Sequence, residues 1–194
     1  MDRDRFECLF RIAASQMGHV TTRQANDCGV ASNLIAYHVM TGRLIRTHRG
    51  IYRIRDYPSS PHEEVMAAWL AAGAHRAVVS HQSASEIYGL GDLIPDCIHL
   101  TVPRSVRNLP RIDGVCFHTS SVALRPQDIL TRNGMRLTSP ARTILDLTQA
   151  GVAPDHIASI VREGMAKGIL SSDALIQDAS DRSQRVLDVI REAV

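Results

Sequence analysis

Gly42-Arg43-Leu44-Ile45-Arg46-Thr47-His48-Arg49-Gly50-Ile51-Tyr52-Arg53-Ile54-Arg55 decides how the amino-terminal region reads. Its apolar residues fall on a two-residue beat in Leu44-Ile45-Arg46 and again in Ile51-Tyr52-Arg53-Ile54, which predicts two strands. Thr47-His48-Arg49-Gly50 lies between them and supplies the glycine that a tight hairpin needs. Five arginines, Arg43, Arg46, Arg49, Arg53 and Arg55, fall within thirteen residues, with His48 among them.

Upstream of the hairpin the period is helical. Phe6, Leu9, Phe10, Ala13 and Met17 form one apolar stripe of a first helix, ended by Gly18. Thr21 or Thr22 is placed to cap a short second helix, Arg23 to Cys28, which Gly29 stops. A third helix runs from Ala31 or Ser32 to about Thr41, with Gly42 after it. Val30, Leu34, Ile35 and Val39 face inward, which leaves Ser32, Asn33, Ala36, Tyr37 and Met40 open. His38, on the inward flank, reads as a buried and hydrogen-bonded histidine. Three helices and a hairpin in about fifty-five residues make a winged helix-turn-helix with the hairpin as wing.

Charge supports a nucleic-acid reading. Residues 1–57 hold nine Arg against five acids, 58–150 balance eight against eight, and 151–194 hold five bases against seven acids. The basic excess therefore sits at one end, although the net charge is only +2. A duplex carries about one negative charge per 1.7 Å of axis, and arginine contacts release its condensed counterions. The expected partner is double-stranded DNA. The expected DNA-binding residues are Arg23, Ser32, Asn33, Tyr37, Arg43, Arg46, His48, Arg49 and Arg53. The arginines would position the duplex through phosphates. The third helix would read bases, with Asn33 suited to pair bidentately with adenine. The competing reading of the hairpin is a solvated edge whose charges discourage strand pairing.

Asp56-Tyr57-Pro58-Ser59-Ser60-Pro61 is a linker by composition, so the expected domains are 1–57 and 61–194. After it, Ser60 and Glu63 predict a capping box for a helix of about fourteen residues. Strands are expected at Ala77-Val78-Val79, Cys97 to Val102, Val115 to Thr119 and Met135 to Leu137. Helices are expected from Ser80 to Gly89 with Ser80 as cap, Pro140 to Gln149, Pro154 to Lys167, Ser172 to about Ala179, and Asp181 onward. Arg142 and Asp146, one turn apart, read as a surface ion pair worth a few tenths of a kcal/mol. The fold class is α+β: a winged helix-turn-helix followed by a mixed α/β domain with C-terminal helices.

Gly18-His19-Val20-Thr21, Gly42 to Arg46 and Arg49-Gly50-Ile51-Tyr52 resemble the N-terminal winged helix of AbiEi-type antitoxins. Three further segments resemble that family's second domain in the same order: Val79-Ser80-His81-Gln82-Ser83-Ala84 with Gly89-Leu90, His99-Leu100-Thr101-Val102-Pro103, and Leu137-Thr138-Ser139-Pro140-Ala141-Arg142-Thr143-Ile144-Leu145-Asp146-Leu147. The resemblance spans roughly residues 5–150. It implies a bacterial antitoxin of a type IV toxin–antitoxin operon. Such a protein represses its own promoter through the winged helix. It counters a nucleotidyltransferase-like toxin through the second domain, without necessarily binding it tightly.

Other classes fit less well. A winged-helix regulator with no toxin partner is the runner-up. A remnant of a very-short-patch-repair-like endonuclease would need clustered carboxylates and a lysine, and the tail offers Glu163 and Lys167 without Glu-x-Lys. Nucleotidyl transfer wants Gly-Ser followed by Asp-x-Asp, and the only Asp-x-Asp is Asp2-Arg3-Asp4. Ser80 and His81 are adjacent, which reads as poor placement for proton transfer, and no G-x-S-x-G or P-loop is present. No catalytic residue and no enzyme activity are expected.

Cys8, Cys28, Cys97 and Cys116 are too far apart for C-x-x-C and are expected to be reduced thiols. Alternation puts Cys97 with His99, and Cys116 with His118, on one face of each strand. If those strands pair, four zinc-type ligands converge. The preferred reading is a core built on Ile98, Leu100 and Val102 with a half-solvated Cys/His face, and no metal or cofactor is expected. No apolar stretch reaches the roughly 18 residues that span a bilayer, and the N-terminus lacks a secretion pattern. A cytoplasmic protein with no membrane partner is the expectation.

Overall fold

Helical spacing near the amino terminus gives α1 (Arg3–Ala14) in the computed structural model, which describes residues 3–106, 108–120 and 124–194. Asp2, half of the Asp-x-Asp pair noted above, lies outside the described residues. Leu9 and Ala13 of α1 are buried as its stripe predicts, with Cys8 and Ile12 packed beside them. Phe6 and Phe10 turn toward the rim at 44% exposure each, and Phe10 meets Tyr57 with ring centroids 5.9 Å apart.

A three-residue strand, β1 (His19–Thr21), follows, too short for its alternation to show in the sequence. Next come α2 (Thr22–Asp27), α3 (Ser32–Met40) and the hairpin of β2 (Leu44–His48) and β3 (Ile51–Ile54). Thr21 caps α2 in a reciprocal box: its hydroxyl accepts from Gln24 N, and the Gln24 side chain accepts from Thr21 N. Gly50 turns the hairpin at φ +76°, and a bulge falls between Arg46 and His48. Because β1 pairs with β3, the sheet order is β1-β3-β2 and β3 is its central strand.

The chain divides into two compact units. One comprises Met1–Arg76, Asn108–Asp113 and Thr131–Met135; the other comprises Ala77–Arg107, Gly114–Leu130 and Arg136–Val194. The first unit therefore runs past the linker at which the sequence reading ended it. The cause is local: α4 (Glu63–Ala72) packs on β1, β2 and β3, and its Glu63 meets Arg53 at 3.0 Å. Only half of the expected capping box forms: Glu63 Oε2 accepts from Ser60 N at 3.5 Å, while Ser60 Oγ donates to the Pro61 carbonyl and does not cap the helix. α4 is ten residues long.

The expected strands appear as β4 (Val78–Val79), β5 (Ile98–Pro103), β6 (Val115–Ser120) and β8 (Met135–Thr138). An unexpected β7 (Ile129–Arg132) completes a sheet of order β6-β5-β4-β8-β7. Its turn signal was present in Asn133-Gly134, whose φ values of +52° and +78° suit a primed hairpin turn. β4 pairs antiparallel with β5 and parallel with β8, while β5 and β6 are parallel. Helix α5 (His81–Tyr88) follows β4 and ends at left-handed Gly89. α6 (Pro140–Gln149), α7 (Pro154–Ala166), α8 (Ser172–Ser180) and α9 (Gln184–Ala193) bury Ile144, Leu147, Ile157, Ile160, Leu175 and Ile190 among themselves and the sheet.

The cysteines depart from expectation. Cys8 of α1 and the Cys28 cap of α2 are joined, with Cα atoms 5.8 Å apart, and Cys97 and Cys116 are joined at 5.9 Å. Sequence separations of 20 and 19 hid pairs that helix packing and strand pairing bring together.

Candidate nucleic-acid interface

Helix α3 begins after Ala31, without a side-chain cap, and presents the face the sequence predicts. Ile35 is buried, while Ser32, Asn33, Ala36, Tyr37 and Met40 are exposed. Tyr37 is 49% exposed and Met40 79%, an unusual display of large side chains for a helix with no partner on that side. The Asn33 carboxamide oxygen accepts the Leu34 amide at 2.9 Å.

Arg23 on α2 is exposed, as are Arg43 at the start of the hairpin and Arg46 and Arg49 along it. Among the described residues, none of these four makes an ion pair. Among the described residues nothing neutralises their charge. Arg55, also exposed, donates to the Gly42 carbonyl and ties the base of the hairpin to the end of α3.

Two of the expected residues differ. His48 is half-buried, with its Nδ1 shielded and lacking a hydrogen-bond partner. Arg53 is held internally rather than displayed on the hairpin surface. It is 9% exposed; its guanidinium donates to Glu63 and to the carbonyls of Ile54, Arg55 and Tyr57. The local pattern of the hairpin does not reveal this, because β1 makes β3 central and α4 packs on it. His38 is buried as expected, yet neither ring nitrogen has a hydrogen-bond partner. Burial, then the positive charge of Arg43, lowers its pKa. It lines a largely apolar cavity of about 450 Å³ with Phe6, Phe10 and Leu44, to which Arg43 and Asp56 also contribute.

The second unit holds a polar cluster that sequence reasoning missed. Arg142 is 4% exposed; its Nε meets Asp146 at 2.8 Å, Nη1 meets Asp128 at 3.4 Å, and Nη2 donates to Ser120 Oγ at 3.1 Å. This is a buried network, not the surface pair that i, i+4 spacing suggested. Burial pushes the Asp128 carboxyl up, but hydrogen bonds and charge from Arg125 and Arg142 outweigh that and hold it below its usual range. Asp146 goes the other way: burial outweighs Arg142, and Oδ2 is left without a partner.

His81, Thr101, Arg142 and Asp146 line one cavity of about 220 Å³, so three separated sequence segments converge on it. Ser80 Oγ does not cap α5. It accepts from Thr101 Oγ1 at 2.7 Å and lies 2.9 Å from His81 Nδ1. The pair is thus closer than adjacency suggested, but Ser80 is fully buried and offers no nucleophile to a substrate.

Burial, then the charges of His118, His99 and Arg142, drives His81 down to about 3 from an ordinary 6.5. Between those values an unfolded chain binds a proton that the folded chain refuses. This contribution to stability is complete above 6.5 and is lost as pH falls through the window, by up to about 1.4 kcal/mol per pH unit. Urea denaturation at several pH values should show that slope in the native chain and a shallower one in His81→Asn. Identical slopes would refute it.

Residues 8–55 match the sequence model of the family described as "Transcriptional regulator, AbiEi antitoxin". That segment is similar to the AbiEi family. It contains the exposed face of α3 and the arginine hairpin. The fold has a solved counterpart in the crystal structure of RV2827C protein from Mycobacterium tuberculosis, with a TM-score of 0.61 and 16% identity over 95% of this chain and 74% of that one. At that identity the likeness extends to the α+β fold alone. No curated protein matches the chain. No helix among the described residues is long and apolar enough to cross a membrane.

Proposed function

We propose that the AbiEi-type segment is a winged helix-turn-helix that binds double-stranded DNA, and that the chain is an antitoxin of a type IV toxin–antitoxin system. On this reading it represses its own operon and counters a nucleotidyltransferase-like toxin. The observation that carries the DNA-binding part is the exposed Arg43, Arg46 and Arg49, without ion pairs among the described residues, together with the exposed Ser32–Asn33–Tyr37 face, all inside the matched segment. Arg23, Arg43, Arg46 and Arg49 serve phosphates, Tyr37 serves sugar or phosphate, and half-buried His48 shapes the hairpin tip.

Ser32 and Asn33 read bases. To pair with adenine, Asn33 Oδ1 must leave the Leu34 amide and accept from the base. Asn33→Ala should therefore narrow the gap between operator and random DNA by roughly 1–3 kcal/mol. Equal losses on both duplexes would assign Asn33 to the backbone. Footprinting on the chain's own upstream region tests autoregulation. Co-expression with a nucleotidyltransferase-like gene immediately downstream tests neutralisation, and growth should be restored.

The His38-lined cavity favours one second reading, a winged-helix regulator that answers a small apolar ligand rather than a toxin. Failure of growth rescue by soluble protein, with operator binding intact, would select it.

A further inference from the structure

We propose that Cys97, Cys116, His99 and Asp96 form a binding site for a zinc-class divalent cation when the two thiols are reduced. Cys97 stands just before β5 and Cys116 lies in β6; the parallel register opposes His99 to Cys116, so both sulfurs come to one point. Cys116 is exposed, which gives an ion a path to them. His99 Nε2 lies 3.6 Å from Cys97 Sγ and 3.7 Å from Asp96 Oδ1. The ligand atoms of Asp96, Cys97 and His99 all fall within 4.8 Å of one another.

These separations are those of a coordination shell. Metal–sulfur bonds of about 2.3 Å and metal–nitrogen bonds of about 2.0–2.1 Å at tetrahedral angles put sulfur and nitrogen roughly 3.6 Å apart. The other ring nitrogen, His99 Nδ1, lies 2.8 Å from His118 Nε2. A histidine ligand held through its second nitrogen is the usual support of a zinc site, because it fixes both ring orientation and tautomer. His118 is in turn stacked on His81 with centroids 3.7 Å apart, so the supporting ring is itself immobilised. His118 is a positioning residue, and the four ligands are two thiolates, one imidazole and one carboxylate.

The disulfide form and the metal form exclude each other. A thiol or phosphine reductant delivers two electrons to the Cys97–Cys116 bond, which breaks as each sulfur takes a proton, and the reductant leaves oxidised. Binding of the cation then releases both thiol protons as the thiolates coordinate. The bound ion clamps β6, the edge strand, to β5 at the end where their pairing begins.

The test uses the full chain, reduced with a phosphine under anaerobic conditions and titrated with Co²⁺. About one equivalent per chain should bind, with thiolate-to-cobalt charge-transfer absorption and tetrahedral visible bands, and Zn²⁺ should displace it. Cys8→Ser/Cys28→Ser should leave this unchanged, Cys97→Ser/Cys116→Ser should abolish it, and His118→Ala should weaken it about 10–100-fold. Failure of the reduced chain to take up cobalt, or the same spectrum from Cys97→Ser/Cys116→Ser, would overturn the site. X-ray absorption on the zinc-loaded native chain needs no variant: two sulfurs and two lighter ligands are expected, and a shell without sulfur refutes the assignment.

Discussion

Replacing Arg46 and Arg49 together by Ala should cost roughly a hundredfold in affinity for every duplex at about 50 mM salt, and should flatten the dependence of log K on log salt by about 1.8. The figure follows from counterion release, about 0.9 per lost phosphate contact. Both side chains are exposed and make no ion pair among the described residues, so their removal strands no buried partner there and the variant should fold as the native chain does. Random and operator DNA should suffer alike, because phosphates carry no sequence. Arg53→Ala is the informative contrast. It strands Glu63 and three carbonyls that the guanidinium now satisfies, so it should lower stability and leave the salt slope alone. A stable Arg53→Ala protein with a flattened slope would return that residue to the interface.

Arg142→Met should destabilise the chain by about 3–5 kcal/mol, because it leaves Asp146 buried with its partner gone and takes one of two arginines from Asp128, which keeps Arg125 at 2.9 Å. Replacing Asp146 as well, by Leu, should recover a large part of that loss, since one uncompensated charge then disappears with the cation. Urea denaturation of the two variants and the native chain measures both effects. A loss below about 1 kcal/mol for Arg142→Met would mean the pair is worth no more than a surface i, i+4 contact.

The difference between Arg142 and Arg46 shows where sequence reading reached its limit. The period of three and four in α3 sorted Ile35 from Asn33 and Tyr37, and the two-residue beat found β2 and β3, because each pattern lies within a few residues. Arg53 sits in the same hairpin and looked equivalent to Arg46. Its burial depends on β1 and α4, whose contacts with β3 are long-range and leave no local period. Arg142 and Asp146 looked like a solvated pair for the same reason: Asp128 and Ser120, which complete the network, come from other elements. β7 is a different kind of miss. Its Asn133-Gly134 turn was legible, and the polar Thr131-Arg132 end of the strand masked it.

Cysteine spacing was legible only as an absence of C-x-x-C. Alternation did place Cys97 with His99 and Cys116 with His118, and the parallel pairing of β5 and β6 is the step that makes them neighbours. The interface and the cluster therefore differ in kind. One is written along a single stretch of chain, the other only in the fold.

DNA binding by residues 8–55, the segment similar to the AbiEi family, is the central functional claim. A fluorescence-anisotropy titration of the full chain against a labelled duplex of its own upstream region, at low ionic strength and then across rising salt, tests it directly. Saturable binding that weakens steeply with salt is the predicted result. No complex even at the lowest ionic strength would contradict the account.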